Sequence, residues 1–322
     1  MKVSAALIAA VAQVASAHYF FDSVVANGAA GPSFRYIRDF TRQVKYNPIK
    51  FSTNPAADIR DGSTIDGPDS RCNQGAFTNA GKTQVLEVAA GGDVTVKLGV
   101  GATMQHPGPS LFYMSKAPTG DVKAYDGSGD WFKIGQTGVC NQGGDFTKDA
   151  WCSWDKSTLT TTIPKNTPSG EYLLRVEHIG IHRSHVNQPE HFVSCVQVKV
   201  TGGGNGTPGP MVKFPGAYKS TDPYANFSIY GGAKAFPFPG PAVWDGAAGT
   251  SPAAASAAAV APTTLVKVTT TAPAAAAATT AAAAPTCAVK FAQCGGLEFK
   301  GPTCCQAGST CQVGNRWFSQ CL

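Results

Sequence analysis

Asp93-Val94-Thr95-Val96-Lys97-Leu98 alternates polar and apolar side chains without a break. Successive side chains of an extended chain point to opposite faces, so Val94, Val96 and Leu98 would share one face and Asp93, Thr95 and Lys97 the other. That is the pattern of a half-buried strand. The same period recurs where Val196, Val198 and Val200 alternate with Gln197 and Lys199. Thr158 to Ile163 and Tyr172 to Val176 are further strand candidates, separated by turn signals such as Ala90-Gly91-Gly92 and Pro168-Ser169-Gly170. No stretch between residues 18 and 244 holds a 3.6-residue period. Many short strands joined by long Gly-, Pro- and Asn-rich loops predict an all-β fold, an antiparallel immunoglobulin-like β-sandwich with chemistry on one loop-rich face.

Upstream of the strands, Lys2 and the apolar residues 5 to 12 lead into Ala15-Ser16-Ala17, the small-x-small form of a signal peptidase site. The apolar stretch is too short to span a bilayer. Cleavage after Ala17 would make His18 the first residue of a secreted chain, with an imidazole and a free α-amine side by side. Such a residue can offer two nitrogens to one metal, and a second imidazole would complete a three-nitrogen plane of the kind copper favours. Signal peptidase also cuts before whatever residue comes next, so the junction alone leaves both readings open.

The chain has 322 residues, enough for about two domains of roughly 150. Its formal net charge is +6, and removing residues 1 to 17 takes away Lys2 and leaves +5. That excess is spread along the chain without a basic run, which argues against nucleic acid as a partner. No membrane partner is expected either, and the chain is expected to act as a monomer. Ten cysteines behind a signal peptide predict disulfides. Four lie in the long N-terminal part (Cys72, Cys140, Cys152, Cys195). Six crowd the last 36 residues (Cys287, Cys294, Cys304, Cys305, Cys311, Cys321), marking a disulfide-stapled β module too small to hold itself by a core alone. Zinc is the competing reading, but no histidine follows His191.

Composition divides the chain into a signal peptide (1–17), a catalytic domain (18–246), an Ala/Thr/Pro-rich linker (247–286) and the small module (287–322). The linker carries one charge, Lys267, and four prolines interrupt any helix, so an extended segment with O-glycosylated threonines is expected. Asn205-Gly-Thr and Asn226-Phe-Ser are N-glycosylation sequons.

Six histidines are present: His18, His106, His178, His182, His185 and His191. His178 and His182 would share a strand face unless Gly180 makes a bulge. No glutamate follows the first of them as a zinc-protease pattern would require. Taken as isolated residues, hydrogen-bonded or surface roles are a better account of them than metal binding.

Taken jointly, the motifs are more specific. His18 after a signal peptide, His106-Pro107-Gly108-Pro109 before Tyr113-Met114-Ser115-Lys116, and Gly180-Ile181-His182 followed by Phe192-Val193-Ser194-Cys195 resemble the fungal copper-dependent lytic polysaccharide monooxygenases of auxiliary-activity family 9. Pro215-Gly216-Ala217-Tyr218-Lys219-Ser220-Thr221-Asp222-Pro223 and the ending Pro239 to Trp244 extend the likeness over nearly all of residues 18 to 244.

The resemblance implies one copper held by the His18 amine and the imidazoles of His18 and His106, with His182 hydrogen-bonding an oxygen species beside it. The family usually places glutamine two residues before an axial tyrosine; here those positions read Glu190 and Phe192. Glu190 could serve as a charged proton relay, whereas Phe192 offers no phenol oxygen. The implied reaction hydroxylates C1 or C4 of a cellulose chain, using an external electron donor and O₂ or H₂O₂. A crystalline chain requires a flat face, for which Tyr224 is the candidate aromatic. The likeness further implies a Cys72–Cys195 bridge, with Cys140 and Cys152 closing a shorter loop.

Residues 287 to 322 resemble the fungal-type family 1 carbohydrate-binding module through Gln293-Cys294-Gly295-Gly296, Gly301-Pro302-Thr303 and Asn315 to Cys321. That likeness implies a planar strip of Phe291, Trp317 and Phe318 stacking on glucose rings, with Asn315 and Gln320 as polar contacts. It also implies bridges Cys294–Cys311, Cys305–Cys321 and Cys287–Cys304. Two other classes stay open at this point: a glycoside hydrolase, which would need a carboxylate pair across a cleft, and a non-catalytic wall-binding protein.

Overall fold

The computed structural model describes residues 18–26, 28–53, 61–232, 235–246, 287–288, 293–295, 302–315 and 318–321. The expected signal peptide and linker lie outside the described residues. The chain divides into two compact units, Met1–Ala254 and Ala255–Leu322.

In the first unit, β1 (Phe21–Ala26), β2 (Ala29–Ala30), β4 (Asp93–Leu98) and β7 (Thr158–Thr162) form a four-stranded sheet in the order β2-β1-β4-β7. A six-stranded sheet is built from β3 (Leu86–Ala89), β5 (Ser110–Lys116), β6 (Trp131–Thr137), β8 (Gly170–Gly180), β9 (Glu190–Thr201) and β10 (Met211–Val212). Its order is β10-β6-β5-β8-β9-β3. The helical turns among the described residues are 3-10 turns of three or four residues. The all-β sandwich is as expected, but its pairing is not wholly antiparallel: β3 runs parallel to β9, Leu86 opposite Val198.

The alternation in β4 does what its sequence predicts, burying Val94, Val96 and Leu98. These meet Phe21 and Val24 of β1 and, from the larger sheet, Phe112, Met114, Leu174, Val176, Val196 and Val198. A second cluster forms on the other face of the larger sheet, where Leu111, Tyr113, Leu173 and Ile179 are covered by long loops carrying Phe40, Ile49, Phe51, Phe214 and Tyr218. Both faces of the larger sheet are therefore buried, and β8 is longer than the five residues its apolar alternation suggests.

Its loop-covered face carries a buried ion pair. Arg175 donates to Glu177 through Nη1 at 2.7 Å and Nη2 at 2.9 Å, and Glu177 also receives the Tyr218 hydroxyl at 2.6 Å. Glu177 Oε1 lies 2.8 Å from His191 Nδ1, and the Arg175 guanidinium sits 4.1 Å over the Phe214 ring. A buried charge pair persists only when its remaining hydrogen-bonding capacity is met, as here. The network ties β8 to His191 near the start of β9.

Disulfides join Cys72 to Cys195 and Cys140 to Cys152. In the second unit Cys287 pairs with Cys304, Cys294 with Cys311 and Cys305 with Cys321. There β11 (Gln293–Gly295), β12 (Cys311–Asn315) and β13 (Phe318–Cys321) form a three-stranded antiparallel sheet in the order β11-β13-β12. Phe291 and Trp317 lie outside the described residues. Of Asn315, Phe318 and Gln320 only the backbone is described; Asn315 pairs with Phe318 and Gln312 with Gln320.

Candidate metal centre

Four histidine-bearing or acidic segments meet at one end of the first unit. His18 immediately precedes Tyr19, whose buried ring anchors this segment against Phe192 with centroids 4.3 Å apart. His106 sits in the loop entering β5. That loop is held to the end of β8 by Ile179 N–H donating to Pro109 O at 3.0 Å and Ile181 N–H to Pro107 O at 2.9 Å. Gly180 closes β8 against His106, and a Cβ there would come within 2.9 Å of His106 Cδ2. The absence of a side chain at 180 is what lets the imidazole lie against the strand.

His182 lies beyond β8, in the turn before the 3-10 turn Ser184–Val186. This corrects the expectation that His178 and His182 share a strand face. The strand ends at Gly180, so His178 stays inside the sheet, its Nδ1 2.7 Å from Tyr19 Oη and its Nε2 3.0 Å from Ser153 Oγ. His182 turns instead to His106, ring centroids 4.8 Å apart. On β9 the period of two sends Glu190 and Phe192 toward the site and His191 to Glu177 on the opposite face.

His18, His106 and Glu190 each offer a ligand atom within 4.8 Å of the others. The His18 and His106 rings are 5.1 Å apart edge to face, and Phe192 lies 6.0 and 5.4 Å from them. Glu190 Oε2 is 3.0 Å from His106 Nε2, 3.8 Å from His18 Nε2 and 3.9 Å from His182 Nε2. Its other oxygen, Oε1, is 3.0 Å from Lys50 Nζ. Burial pushes the Glu190 carboxyl up, but the His106 hydrogen bond and the charges of His106, His182 and Lys50 outweigh it and bring the group down to about 2. Burial is the first cause holding His182 down at about 4.

The donor set fits copper. It is nitrogen-rich, as copper prefers, and the Nε2 atoms of His18 and His106 lie 3.8 and 3.0 Å from Glu190 Oε2.

Tyr224 does not belong to this surface. It sits in the 3-10 turn Pro223–Asn226, 1% exposed, with its ring 5.6 Å from Tyr218 and its hydroxyl 3.5 Å from His191 Nε2. Asp222-Pro223 begins the turn and aims the next side chain inward, which corrects its expected role on a substrate face. The exposed aromatics near the histidines are Tyr46, 44% exposed with its ring 6.5 Å from His18, and Tyr230, 60% exposed. Tyr230 donates its hydroxyl to His182 O at 3.1 Å and stands edge-on to His185 at 5.1 Å. Lys50, Tyr46 and Tyr230 carried no sequence signal of their own; at most Tyr230-Gly231-Gly232 marks a loop that an aromatic could leave.

The profile of Auxiliary Activity family 9 (formerly GH61) matches residues 18–237, and that of the fungal cellulose binding domain matches residues 290–318. The chain is 56% identical over 250 residues to the AA9 family lytic polysaccharide monooxygenase D of Aspergillus tamarii, covering 78% of this chain and 89% of that one. It is 48% identical over 335 residues to monooxygenase G of the same organism, covering 99% and 98%. Among solved structures it is similar to HiLPMO9B, with a TM-score of 0.57 at 28% identity over 71% of this chain and all of that one. A cellulose-active polysaccharide monooxygenase from M. thermophila gives 0.55 at 26% identity, over 71% and 99%.

Proposed function

The chain belongs to Auxiliary Activity family 9, the copper-dependent lytic polysaccharide monooxygenases, and we propose that it is a secreted member that cleaves the β-1,4-glucosidic bonds of cellulose. On this reading residues 18–246 are the catalytic domain, residues 1–17 a removed leader, 247–286 a linker, and 287–322 an anchor that holds the enzyme on its substrate. The observation that carries the reading is the convergence of His18, His106, His182 and Glu190 at one partly open end of the sandwich.

His18 and His106 would hold the metal, the first through its amine as well as its ring once the leader is gone. When bound, copper supplies one-electron chemistry that lets O₂ or H₂O₂ oxidise a sugar C–H bond at C1, C4 or both, with electrons from an external donor. Around it the chain's own groups divide the work. Glu190 presents Oε2 to three imidazoles and can accept or return a proton there. His182, whose burial keeps its imidazole uncharged at pH 7, faces the same oxygen and is able to hydrogen-bond a reactant. Phe192 fills the space beneath the imidazoles with an apolar ring and excludes water from that side. Tyr46 and Tyr230 flank the histidines at the surface, and their exposed rings suit stacking on pyranose faces. In the tail, Phe291, Trp317 and Phe318 would stack likewise, with Asn315 and Gln320 as polar contacts.

Copper binding by calorimetry and electron paramagnetic resonance tests the reading, on protein beginning at His18 beside protein with one extra N-terminal residue. Tight binding with a type 2 signal that is lost with the extra residue is expected. Equal binding by both forms would overturn the amine-dependent site and leave the imidazoles with Glu190 as the ligand set.

A further inference from the structure

Glu190 uses its two oxygens in opposite directions. Oε2 faces the histidines, and Oε1 faces Lys50 at 3.0 Å. Both side chains of this pair are buried, 2% and 3% exposed. The backbone holds the partners in place independently of their charges. Ile49 and His191 exchange N–H to O bonds of 2.9 Å in both directions, and Ile65 N–H donates to Lys50 O at 2.9 Å. Lys50 and Glu190 are thus each one residue from the same antiparallel bridge.

A carboxylate alone at this depth would face the imidazoles with an uncompensated negative charge and two equivalent oxygens. The ammonium removes both freedoms. At 3.0 Å in a water-poor setting the attraction is strong enough to choose which oxygen turns away from the histidines, and it balances the charge of the one that remains.

We propose that Lys50 is a positioning residue for the copper reaction, fixing Glu190 so that Oε2 faces the metal-binding histidines and setting the electrostatic balance of that centre. This rests on the copper reading above. Because the two charges act as a pair, removing either one should move the metal's potential, in opposite directions, and removing both should restore it. An unpaired carboxylate favours Cu(II), and an unpaired ammonium favours Cu(I).

The test is a redox titration and paramagnetic resonance spectrum of the copper-loaded full chain beginning at His18, in wild type, Lys50→Met, Glu190→Gln, the double variant and Lys50→Arg. Thermal unfolding of the metal-free proteins reports the fold separately. Lys50→Met is expected to raise the preference for Cu(II) over Cu(I) about tenfold, a fall of about 59 mV for a one-electron couple. Glu190→Gln is expected to shift it oppositely, the double variant to return within about twofold of wild type, and Lys50→Arg to keep the wild-type value. Potentials unmoved by either substitution, or shifts of the same sign that add in the double variant, overturn the proposal. Should Lys50→Met not fold, Glu190→Gln against the double variant decides: equal potentials mean that Lys50 serves the fold alone. Wild-type protein that binds no copper overturns the reading of the site itself, and is told apart because the failure precedes any substitution.

Discussion

His178 has its imidazole wholly inside the sandwich, bridged between Tyr19 and Ser153. Burial first, and the charge of His106 second, push it down to about 3. The unfolded chain takes a proton on this residue below about pH 6.5, and the folded chain does not until about 3. Stability is therefore untouched above the upper value and falls as pH drops through the window, by up to about 1.4 kcal/mol per pH unit. Urea unfolding of the metal-free protein between pH 7 and pH 4 should show this slope, and His178→Gln should flatten it by about one proton; an unchanged slope would place the acid sensitivity elsewhere. At this scale the sequence was partly legible. His18 and His106 stand in recognisable surroundings, a cleavage junction and a His-Pro-Gly-Pro turn, and the structure brings them together. Lys50 was not legible, because a lysine between Ile49 and Phe51 reads as the exposed member of an alternation, whereas all three are buried. Its partner is 140 residues away in sequence, and no local pattern encodes that.

The end of β8 decides where His106 and His182 lie. Gly108 passes so close to the strand that a Cβ there would sit 1.8 Å from Ile179 O, and its φ of +152° disfavours any other residue. Gly180 has ordinary backbone angles but no room on the His106 side. The two glycines should therefore fail differently. Gly180→Ala is expected to displace the imidazole and weaken copper binding about tenfold or more, about 1.4 kcal/mol, with little change in the melting temperature of the metal-free protein. Gly108→Ala, which collides with backbone, is expected to lower that melting temperature. Calorimetric titration beside thermal unfolding separates them, and a Gly180→Ala protein that melts early but binds copper normally would sink the distinction. The strand itself was only half legible. Tyr172 to Val176 was visible from its apolar period, but the strand runs from Gly170 to Gly180. Arg175, Glu177 and His178 read as polar interruptions until their partners, Ser70, His191, Tyr218, Tyr19 and Ser153, are seen to arrive from other segments.

The chain divides into two compact units, and the cysteine-dense tail and the Ala/Thr/Pro stretch before it need no tertiary contact to be recognised. The Aspergillus tamarii monooxygenase D matches 250 residues of this chain over 89% of its own length, and the HiLPMO9B structure is wholly covered by 71% of it. Both are matched by a part of this chain about the size of the first unit, and the proposed function puts the reaction in residues 18–246 and the anchoring in the tail. A tethered module raises the local concentration of the catalytic unit at the substrate without altering its chemistry. Ending the chain after Gly246 should leave copper affinity and the paramagnetic spectrum unchanged while adsorption to crystalline cellulose falls at least tenfold. The loss of oxidised products should be largest at dilute substrate and vanish at high loading, where encounter no longer limits the rate. Adsorption isotherms and product release measured across substrate loadings check this. A product deficit that persists at saturating cellulose would mean that the tail takes part in the reaction, and equal adsorption by both forms would mean that the first unit anchors itself.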